Sequence, residues 1–514
     1  MLPPSYLDQM PDAFVQLWQQ VEDEILQDVA RRIGKMDAVT PTANWQLWRY
    51  QQTEALRNDV VKLLAKYTGK SEAAIRRLLL QAATEAMERE DTIYYHYGKE
   101  PQPFEESAAL NNLLDAGARQ TCGTWQNLTA TTANTVTGAF ERTLDAAWLK
   151  VSTGAFDYKT AVKQAVDSLA DDMPMVTYPS GHKDSIEVAA RRAVLTGVNQ
   201  TCGKLQEARM DEMGCEFVET TAHGGARPSH AAWQGRRFHR GGAVDYKGKH
   251  YPDFEAATGY GTGAGLCGWN CRHTFFAVFP ELGDPPQWTQ EQLRELNARN
   301  IEWNGKKYTA YEISQMQRAR ERNVRRWKKR YLAEDADAAG LDPTDAAVRL
   351  KAARQSLAEF AQATGGRVDS ARTSVPKFGR SEGSRANWAA KDYEKQQKDA
   401  IIIENLRTAA KLPKAAVIHL EPTKINVDAL TFDDAHINAE REHRVSEEQA
   451  KQYIRNAKIS VSVWNGQFER YYGTEGAAYV NTIKHEIRTA YSRAEFDENT
   501  TALIEEMKKN GILG

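Results

Sequence analysis

The chain has 514 residues, with 67 lysines and arginines against 69 aspartates and glutamates, and five cysteines. At about 150 residues per domain, this length predicts three or four domains. The near-neutral net charge excludes bulk electrostatic attraction as the main way in which the protein binds nucleic acid or membrane. Five cysteines in so long a chain exclude a disulfide framework. No run approaches the ~20 apolar residues of a membrane-spanning helix, and the first residues lack a signal-peptide pattern, so we expect a protein made in the cytoplasm.

The N-terminal part has the periodicity of helices. Apolar residues recur on one face from Phe14 to Ile33, and Gly34 follows as a helix-ending signal. A second helix is predicted to end near Gly69, with Ser71 as the N-cap of a third. Helical patterns continue to about Gly203, with a break near residues 173–185. The sequence therefore predicts a helical region over residues 1–205, with apolar faces suited to binding other helices or grooves.

Residues 206–300 are a glycine-rich segment of different character. After Gly214 the run "CEFVETTA" alternates like a strand, and residues 222–268 contain so many Gly, Pro, His and aromatic residues that we expect no helix there. The apolar run "HTFFAVFP" closes this module. Because a loop of this length is uncommon in a compact domain, something must order it.

Residues 301–365 predict a β-hairpin followed by two helices. Asn304-Gly305 lies between two alternating runs, which is typical of a type I′ turn. The helices are expected from Tyr311 to about Ala333 and from Pro343 to about Thr364. The first is strongly basic, and two interpretations stay open: a solvated helix face, or a surface that contacts phosphates or an acidic partner through Arg318, Arg325, Arg326 and Lys329.

The remaining residues predict a linker and a second domain. Residues 366–390 are rich in Gly, Ser and Arg and are expected to be a flexible arm. Residues 391–514 have an α+β pattern: a strand, a helix over "DDAHINAEREHRV", a helix opened by a Ser446–Gln449 capping box, and a hairpin about Asn465-Gly466. Further strands and a final helix follow. We predict an α+β, multidomain fold with a mainly helical N-terminal half.

Histidines and cysteines stand at both ends of the glycine-rich module. Imidazole and thiolate are the usual zinc donors, and a structural site needs four of them. Cys-x3-Cys-x-His is not a standard zinc-finger spacing, so the alternative is that the histidines bond to backbone groups while the cysteines pack as small apolar side chains. The predicted metal ligands are His223, His230, Cys271 and His273, with Cys267 as a further candidate.

The sequence around these residues resembles a known family. "TAHGGARPSHAAWQGRRF" and "LCGWNCRHTFFAVFP" resemble the shared core of tailed-phage minor capsid proteins, including the Mu-type head morphogenesis proteins. The N-terminal "LWQQVEDEILQDVARRIGKMD" looks like the minor capsid protein 2 branch, and the resemblance covers about residues 11–330. The carried-over signature is Arg227, Pro228, Ser229, His230, Gly235, Asn270, Cys271, Arg272 and His273. The Mu-type pattern has a cysteine where this chain has His273.

The resemblance implies a low-copy structural component of the virion, in the phage head and assembled in the host cytoplasm. The implied partners are the portal protein and other head proteins, with packaged DNA as a further contact. Neither a membrane nor a small-molecule substrate is expected. No catalytic activity or cofactor is expected of this part of the chain, and a structural zinc remains the open alternative.

The C-terminal domain has its own candidate residues. His436 and Glu440 share a helix face, and Arg488 and Thr489 lie on a predicted strand. A base, an acid and a cation are what a metal-independent ribonuclease needs. The order of elements also looks like that of the barnase, colicin and RelE type domains appended to some phage minor capsid proteins. The alternative is a docking domain without catalysis, in which these polar residues lie beside a core of Ile454, Val461, Val463 and Phe468.

Overall fold

The computed structural model describes residues 1–35, 42–153, 155–172, 176–178, 180–335 and 341–513. The chain divides into two compact units, Met1–Ala390 and Lys391–Gly514. Helices dominate the first unit and an antiparallel sheet the second, so the predicted α+β, multidomain fold is confirmed. No helix among the described residues carries an apolar stretch that could cross a membrane.

The N-terminal part of the first unit is a helical body. Its strands β1, Val176–Thr177, and β2, Lys183–Asp184, form a small antiparallel pair. Aromatic rings fill the centre of its core, where the Trp18 and Trp125 centroids lie 4.4 Å apart. The helices are α1 Pro4–Gln9, α2 Asp12–Gly34, α3 Thr42–His96, α4 Ala108–Ser152, α5 Tyr158–Asp172 and α6 Ile186–Met213.

The predicted break at Gly69 is wrong. Helix α3 runs without interruption for 55 residues, about 80 Å at the usual rise per residue. Ser71 is buried and caps nothing. Its hydroxyl donates to the carbonyl of Tyr67 and accepts from the Trp18 indole at 2.9 Å. Tertiary packing onto α2 therefore overrides the local stop signal.

Helices α4 and α6 cross at two reciprocal glycine–threonine contacts. A Cβ on Gly117 would overlap the Thr201 hydroxyl, and a Cβ on Gly197 would overlap the Thr121 hydroxyl. Each threonine hydroxyl donates to the glycine carbonyl one turn earlier on its own helix, at 2.8 Å for Thr121 and 2.7 Å for Thr201. The two backbones can approach this closely only because both glycines lack side chains.

Gly117→Ala should destabilise the protein by about 1–3 kcal/mol, because a methyl group would be forced into a packed crossing. Gly123→Ala is the matched control on the same helix, since a Cβ there has nothing within 4 Å. That control should be neutral or stabilising by roughly 0.5–1 kcal/mol through helix propensity. Denaturant unfolding of both variants measures the difference, and equal stabilities would contradict the close crossing.

The glycine-rich module follows α6, which ends at Gly214 in a left-handed cap. Its three-stranded sheet has the order β4-β3-β7, beside a β5–β6 hairpin. Two short helices occur where we expected none: Pro228 opens the first, and the Asp253 carboxylate caps the second. The elements are β3 Phe217–Thr220, α7 Pro228–Ala231, β4 Arg237–His239, β5 Val244–Tyr246, β6 Lys249–Tyr251, α8 Phe254–Thr258 and β7 Phe275–Ala277.

A hairpin and two paired helices complete the first unit. Asn304 and Gly305 have φ of 48° and 72°, as a type I′ turn requires, so the predicted hairpin is confirmed. Both predicted helices are present within a residue or two of their expected ends. The elements are α9 Gln290–Leu296, β8 Ile301–Trp303, β9 Lys306–Tyr308, α10 Ala310–Glu334 and α11 Thr344–Ala363.

Residues 366–390 are not the flexible arm that their composition predicts. Two helices, α12 Ser370–Thr373 and α13 Arg380–Ala409, begin within this segment. Val375, Phe378 and Ala386 are buried in a core that they share with α10 and α11. These few apolar side chains, spaced among Gly, Ser and Arg, supply enough buried surface to order the chain.

Three cations of the basic helix α10 pair with carboxylates of other helices. Arg325 forms an ion pair with Glu187 of α6, and Lys329 forms one with Glu22 of α2. The Arg330 Nε lies 2.8 Å from Asp167 of α5. These carboxylates are buried at Glu22 and Glu187 and half-buried at Asp167, so in this fold Arg325 and Lys329 neutralise carboxylates and are not available to DNA phosphates.

Beside the ion pairs of α10 lies the carboxyl group of Asp23, whose pKa is raised. Burial raises the pKa of Asp23 to about 7, although neighbouring Lys329 opposes the shift. Because this pKa is raised, the folded protein keeps the Asp23 proton at pH values where the unfolded chain, with the ordinary pKa of 3.8, has already released it. This group's contribution to stability is therefore present at low pH and is lost as the pH rises to about 7.

Asp23→Asn should remove that pH dependence. The difference in free energy of unfolding, variant minus wild type, should increase by on the order of 1–3 kcal/mol as the pH rises from about 4 to about 7. Above about pH 7 this difference should stay constant. Chemical denaturation across this pH range measures it. A difference that stays flat from about pH 4 to 8 would contradict the buried, protonated state.

The second unit is a six-stranded sheet with helices against it. The strand order is β10-β12-β13-β14-β15-β11, antiparallel except for the β11–β15 pair. The Ser446–Gln449 capping box and the Asn465-Gly466 hairpin are confirmed. The elements are the end of α13, β10 Val417–His419, β11 Thr431–Phe432, α14 Glu447–Arg455, β12 Ile459–Val463, β13 Phe468–Tyr472, β14 Gly476–Asn481, β15 Glu486–Ser492 and α15 Glu498–Lys509.

Two details of this unit differ from expectation. The helix predicted over "DDAHINAEREHRV" is a π-helical turn, Ala435–Glu440. The expected core residues do not form one cluster. Val461 and Val463 are buried with α13 and α15, whereas Ile454 belongs to a separate core with α14. Alternating strand residues supply both cores, because neighbouring side chains point to opposite faces of the sheet.

Candidate functional site: a His/Cys cluster beside a cavity

The two ends of the glycine-rich module meet at His230, Cys271 and His273. His230 lies on α7, and the other two residues precede β7; all three side chains are buried. The Nδ1 atoms of the two histidines are 3.4 Å apart, and Cys271 Sγ is 3.7 Å from each of them. These three side chains could hold a metal ion, since their donor atoms lie within 4.8 Å of one another.

The far side of each imidazole bonds to a fixed oxygen. His230 Nε2 lies 2.9 Å from the carbonyl of Ala264, and His273 Nε2 lies 3.0 Å from Gln234 Oε1. Gln234 is oriented in turn, because its Oε1 accepts from the backbone N–H of His223 and its Nε2 donates to Asn297. Sequence analysis missed Gln234, whose only signal is its place one helical turn after His230.

The other two ligand candidates lie near the cluster but outside it. His223 Nδ1 is 2.9 Å from the Gly224 carbonyl, and its ring is tilted by 30° against that of His273, with 4.4 Å between centroids. Cys267 is buried in a left-handed backbone conformation, with its sulfur 3.8 Å from the His273 carbonyl. The structure thus brings together three of the four predicted metal ligands.

Burial sets the protonation of the cluster. It lowers the pKa of His230 and lowers the pKa of His273 well below the usual range, while it raises the pKa of the Cys271 thiol. At neutral pH the imidazoles are therefore uncharged, which is the form that binds metals. A thiol held protonated is a poor nucleophile, so this arrangement disfavours covalent catalysis by Cys271.

A cavity of about 790 Å³ reaches the cluster. His223, His230, Cys271 and His273 all line it, and Trp269 forms an exposed aromatic part of its wall. Of the described residues that line this cavity, none is acidic and four are arginines: Arg192, Arg227, Arg272 and Arg318.

Two of these arginines have no carboxylate at ion-pair distance among the described residues. Arg227 donates to the carbonyl of Trp269 at 2.7 Å, and Arg318 lies beside Arg272. Burial and the charge of Arg272 lower the pKa of Arg318 to about 10, so this guanidinium is still charged at neutral pH. Arg192 and Arg272, by contrast, pair with Asp184 and Asp8.

Helices of the body hold the segment that contains Cys271 and His273. Asn199 on α6 donates from one amide nitrogen to the carbonyls of both residues, at 3.0 and 3.1 Å. Gln206 on the same helix donates to Phe275 O at 2.9 Å, and Glu90 on α3 accepts from the Ala277 N–H at 3.1 Å. No local pattern in the sequence indicates these partners, which are between 69 and 187 residues away.

The second unit brings together most of its predicted site residues. His436 Nδ1 lies 2.6 Å from the Glu440 carboxylate. Asp433 accepts from the His436 backbone N–H and forms an ion pair with Arg488. Arg488 is the extra residue of a β-bulge, because Ile487 pairs with Val480 and Thr489 with Tyr479. Thr489 is half-buried on the same strand. Asp433, which links the His436–Glu440 pair to Arg488, was not predicted from the sequence.

Comparison with known proteins agrees with the sequence resemblance. A model of the family described as phage minor capsid protein 2 matches residues 2–362, more than half of the chain. A structural protein of Lactococcus phage LL-H is 27% identical over 246 residues, which are 45% of this chain and 61% of that protein. The match thus spans less than two thirds of the relative's length. No solved structure matches the chain.

The family match begins at residue 2 and ends at residue 362. It therefore includes the helical body, the glycine-rich module with its His/Cys cluster, and the paired helices α10 and α11. The second unit lies outside the match. The chain belongs to the phage minor capsid protein 2 family.

Proposed function

We propose that the protein is a structural component of the phage head that binds the portal protein during head assembly in the host cytoplasm. Membership of a minor capsid protein family supports a place in the particle, and the LL-H relative carries the description of a structural protein. The portal protein is the partner that we assign to the helical body. The supporting observation is a set of three exposed apolar residues on one side of its longest helix, which we call the stripe although the exposed Glu54 and Arg57 lie between two of them.

The stripe consists of Leu47, Tyr50 and Val61 on α3, with 58%, 60% and 49% of their surfaces exposed. At 3.6 residues per turn these three positions fall within about 60° of one another around the helix. Large apolar side chains on one face of a helix are typical of a surface that binds another helix or a groove. On the buried side of α3, Trp45 stacks on Trp148 with 5.7 Å between centroids.

Replacing the stripe should weaken binding to the portal protein. A Leu47→Ser, Tyr50→Ser, Val61→Ser variant loses the apolar contact area, and we expect at least about a tenfold loss of affinity, which corresponds to roughly 1.4 kcal/mol. Co-purification and binding titration with assembled portal rings measure this. Leu80→Ser, also exposed on α3 but more than four turns away, is the control. Wild-type binding by the triple variant would contradict the assignment.

The second unit supports a further candidate function, metal-independent cleavage of RNA. The observation that favours it is the cluster of His436, Glu440, Asp433 and Arg488 at a β-bulge, a feature that commonly directs a side chain into a site. The Glu440 carboxylate holds His436 through Nδ1, which leaves Nε2 to take a proton from a ribose hydroxyl. As the 2′-oxygen bonds to phosphorus, Arg488 would stabilise the negative charge on the phosphorane oxygens, and the protonated His436 would give its proton to the departing 5′-oxygen.

Cleavage of tRNA and single-stranded RNA by the full chain tests this candidate. His436→Ala and Arg488→Met should each lower the rate by about 10²-fold or more, since each removes a group that acts in the transition state. His485→Ala, in the turn before β15, is the control histidine and should cleave like the wild type. Cleavage that survives both substitutions, or its absence in the wild type, would reject the nuclease and leave a docking domain.

A further inference from the structure

We propose that His230, Cys271 and His273 bind one zinc ion, and that its fourth coordination position opens into the arginine-lined cavity and takes the phosphate group of a phosphomonoester. This site is built from other residues than those proposed for portal binding and for RNA cleavage. It differs from the structural zinc considered from the sequence, which would need four protein ligands and would have no open position.

The distances between the donor atoms fit a tetrahedral zinc ion. With Zn–N of about 2.05 Å and Zn–S of about 2.3 Å, the edges of a tetrahedron are about 3.3 Å between two nitrogens and about 3.6 Å between nitrogen and sulfur. The observed separations are 3.4 Å between the imidazole nitrogens and 3.7 Å from the sulfur to each of them. Three corners of a tetrahedron are therefore already in place.

The hydrogen bonds of the two imidazoles also point to a cation. The Ala264 carbonyl can only accept, so His230 carries its proton on Nε2. Gln234 Oε1 already accepts from a backbone N–H, which fixes its identity as oxygen, so His273 Nε2 is likewise the protonated nitrogen. The two Nδ1 lone pairs then face each other at 3.4 Å. One thiol proton can satisfy only one of them, whereas a metal ion satisfies both and the thiolate as well.

The fourth position lies on the cavity side of the cluster. Three protein ligands and one exchangeable ligand are the pattern of zinc sites that bind further molecules, whereas closed structural sites use four protein ligands. His223 does not close this site, because its Nδ1 bonds to the Gly224 carbonyl and neither of its ring nitrogens lies within 4.8 Å of all three donor atoms. The cavity lining reaches His230, Cys271 and His273 directly.

The charge around the cavity selects the ligand. Arg227 and Arg318 have no carboxylate at ion-pair distance among the described residues, and no acidic side chain of the described lining competes with an anion. Guanidinium groups bind phosphate oxygens in pairs, and a dianionic phosphate balances more of this charge than a carboxylate does. At about 790 Å³ the cavity is much larger than a phosphate alone, and Tyr178, Trp269 and Tyr311 provide aromatic walls for the rest of a phosphomonoester.

Cobalt(II) titration of the metal-stripped full chain tests both parts. We expect one equivalent of Co²⁺ per chain, with a thiolate charge-transfer band and the visible spectrum of a four-coordinate ion. Inorganic phosphate and phenyl phosphate should each shift that spectrum, phenyl phosphate at lower concentration, while acetate should not. Cys271→Ser should lose the charge-transfer band, and Cys267→Ser, which alters the neighbouring buried cysteine, should keep it. Arg318→Met should retain Co²⁺ and weaken the phosphate response by about tenfold or more.

X-ray absorption of the zinc-loaded wild type keeps the proposal testable if Cys271→Ser does not fold. One sulfur and about three nitrogen or oxygen neighbours are expected in the first shell. Failure to bind metal, or a first shell with two sulfurs, would overturn the zinc site. A spectrum that no phosphate changes, or that acetate changes equally, would overturn the phosphate ligand.

Discussion

The first unit depends on one constraint: the backbone groups on the outer edge of β7 need hydrogen-bond partners. This strand pairs with β3 on one side only, so its other edge presents backbone groups that would be costly to bury without partners. Side chains of the helical body provide those partners: Glu90 accepts from Ala277, Gln206 donates to Phe275, and Asn199 donates to the carbonyls of Cys271 and His273. The body and the glycine-rich module therefore share one hydrogen-bond network, and the aromatic residue Tyr94 of α3 is buried in the module's core.

This anchoring explains how a segment so rich in glycine keeps a defined shape. Fixing the Cys271–His273 backbone on α6 places both side chains opposite His230, which Pro228 and the short helix α7 position from the other end of the module. The cavity beside them is bounded by α10, whose Tyr311 and Arg318 line it. Farther along, α10 is bound to α2, α5 and α6 by buried ion pairs. Such pairs contribute little net stability but are costly to break singly, so they fix how the helices fit together.

Patterns that are local in sequence predicted the architecture well. The periodicity of α2, both Asn-Gly hairpins, the Ser446 capping box and the α+β character of the second unit all depend on residues close in the chain. Three of the failures have one cause, which is distant packing. Ser71 bonds to Trp18 instead of starting a helix, Phe378 orders a segment of linker-like composition, and Arg325 meets Glu187 instead of solvent. For the site, residue type and spacing identified His230, Cys271 and His273. Asn199 and Asp433 carry no local signal, and Gln234 is marked only by its place one turn after His230, so these three residues required the fold.

Hydrogen exchange of the wild-type protein tests this central constraint most directly. If the helices hold the edge of β7, the backbone amides of residues 271–279 should open only together with those of α6, with protection close to that of Ile186–Met213. Mass spectrometry of peptides from both segments, followed through a denaturant series, gives the two opening free energies. Opening free energies that become equal as denaturant is added would show that the two segments form one cooperative unit, as the shared hydrogen-bond network requires. Exchange of residues 271–279 that is fast and independent of α6 would contradict it.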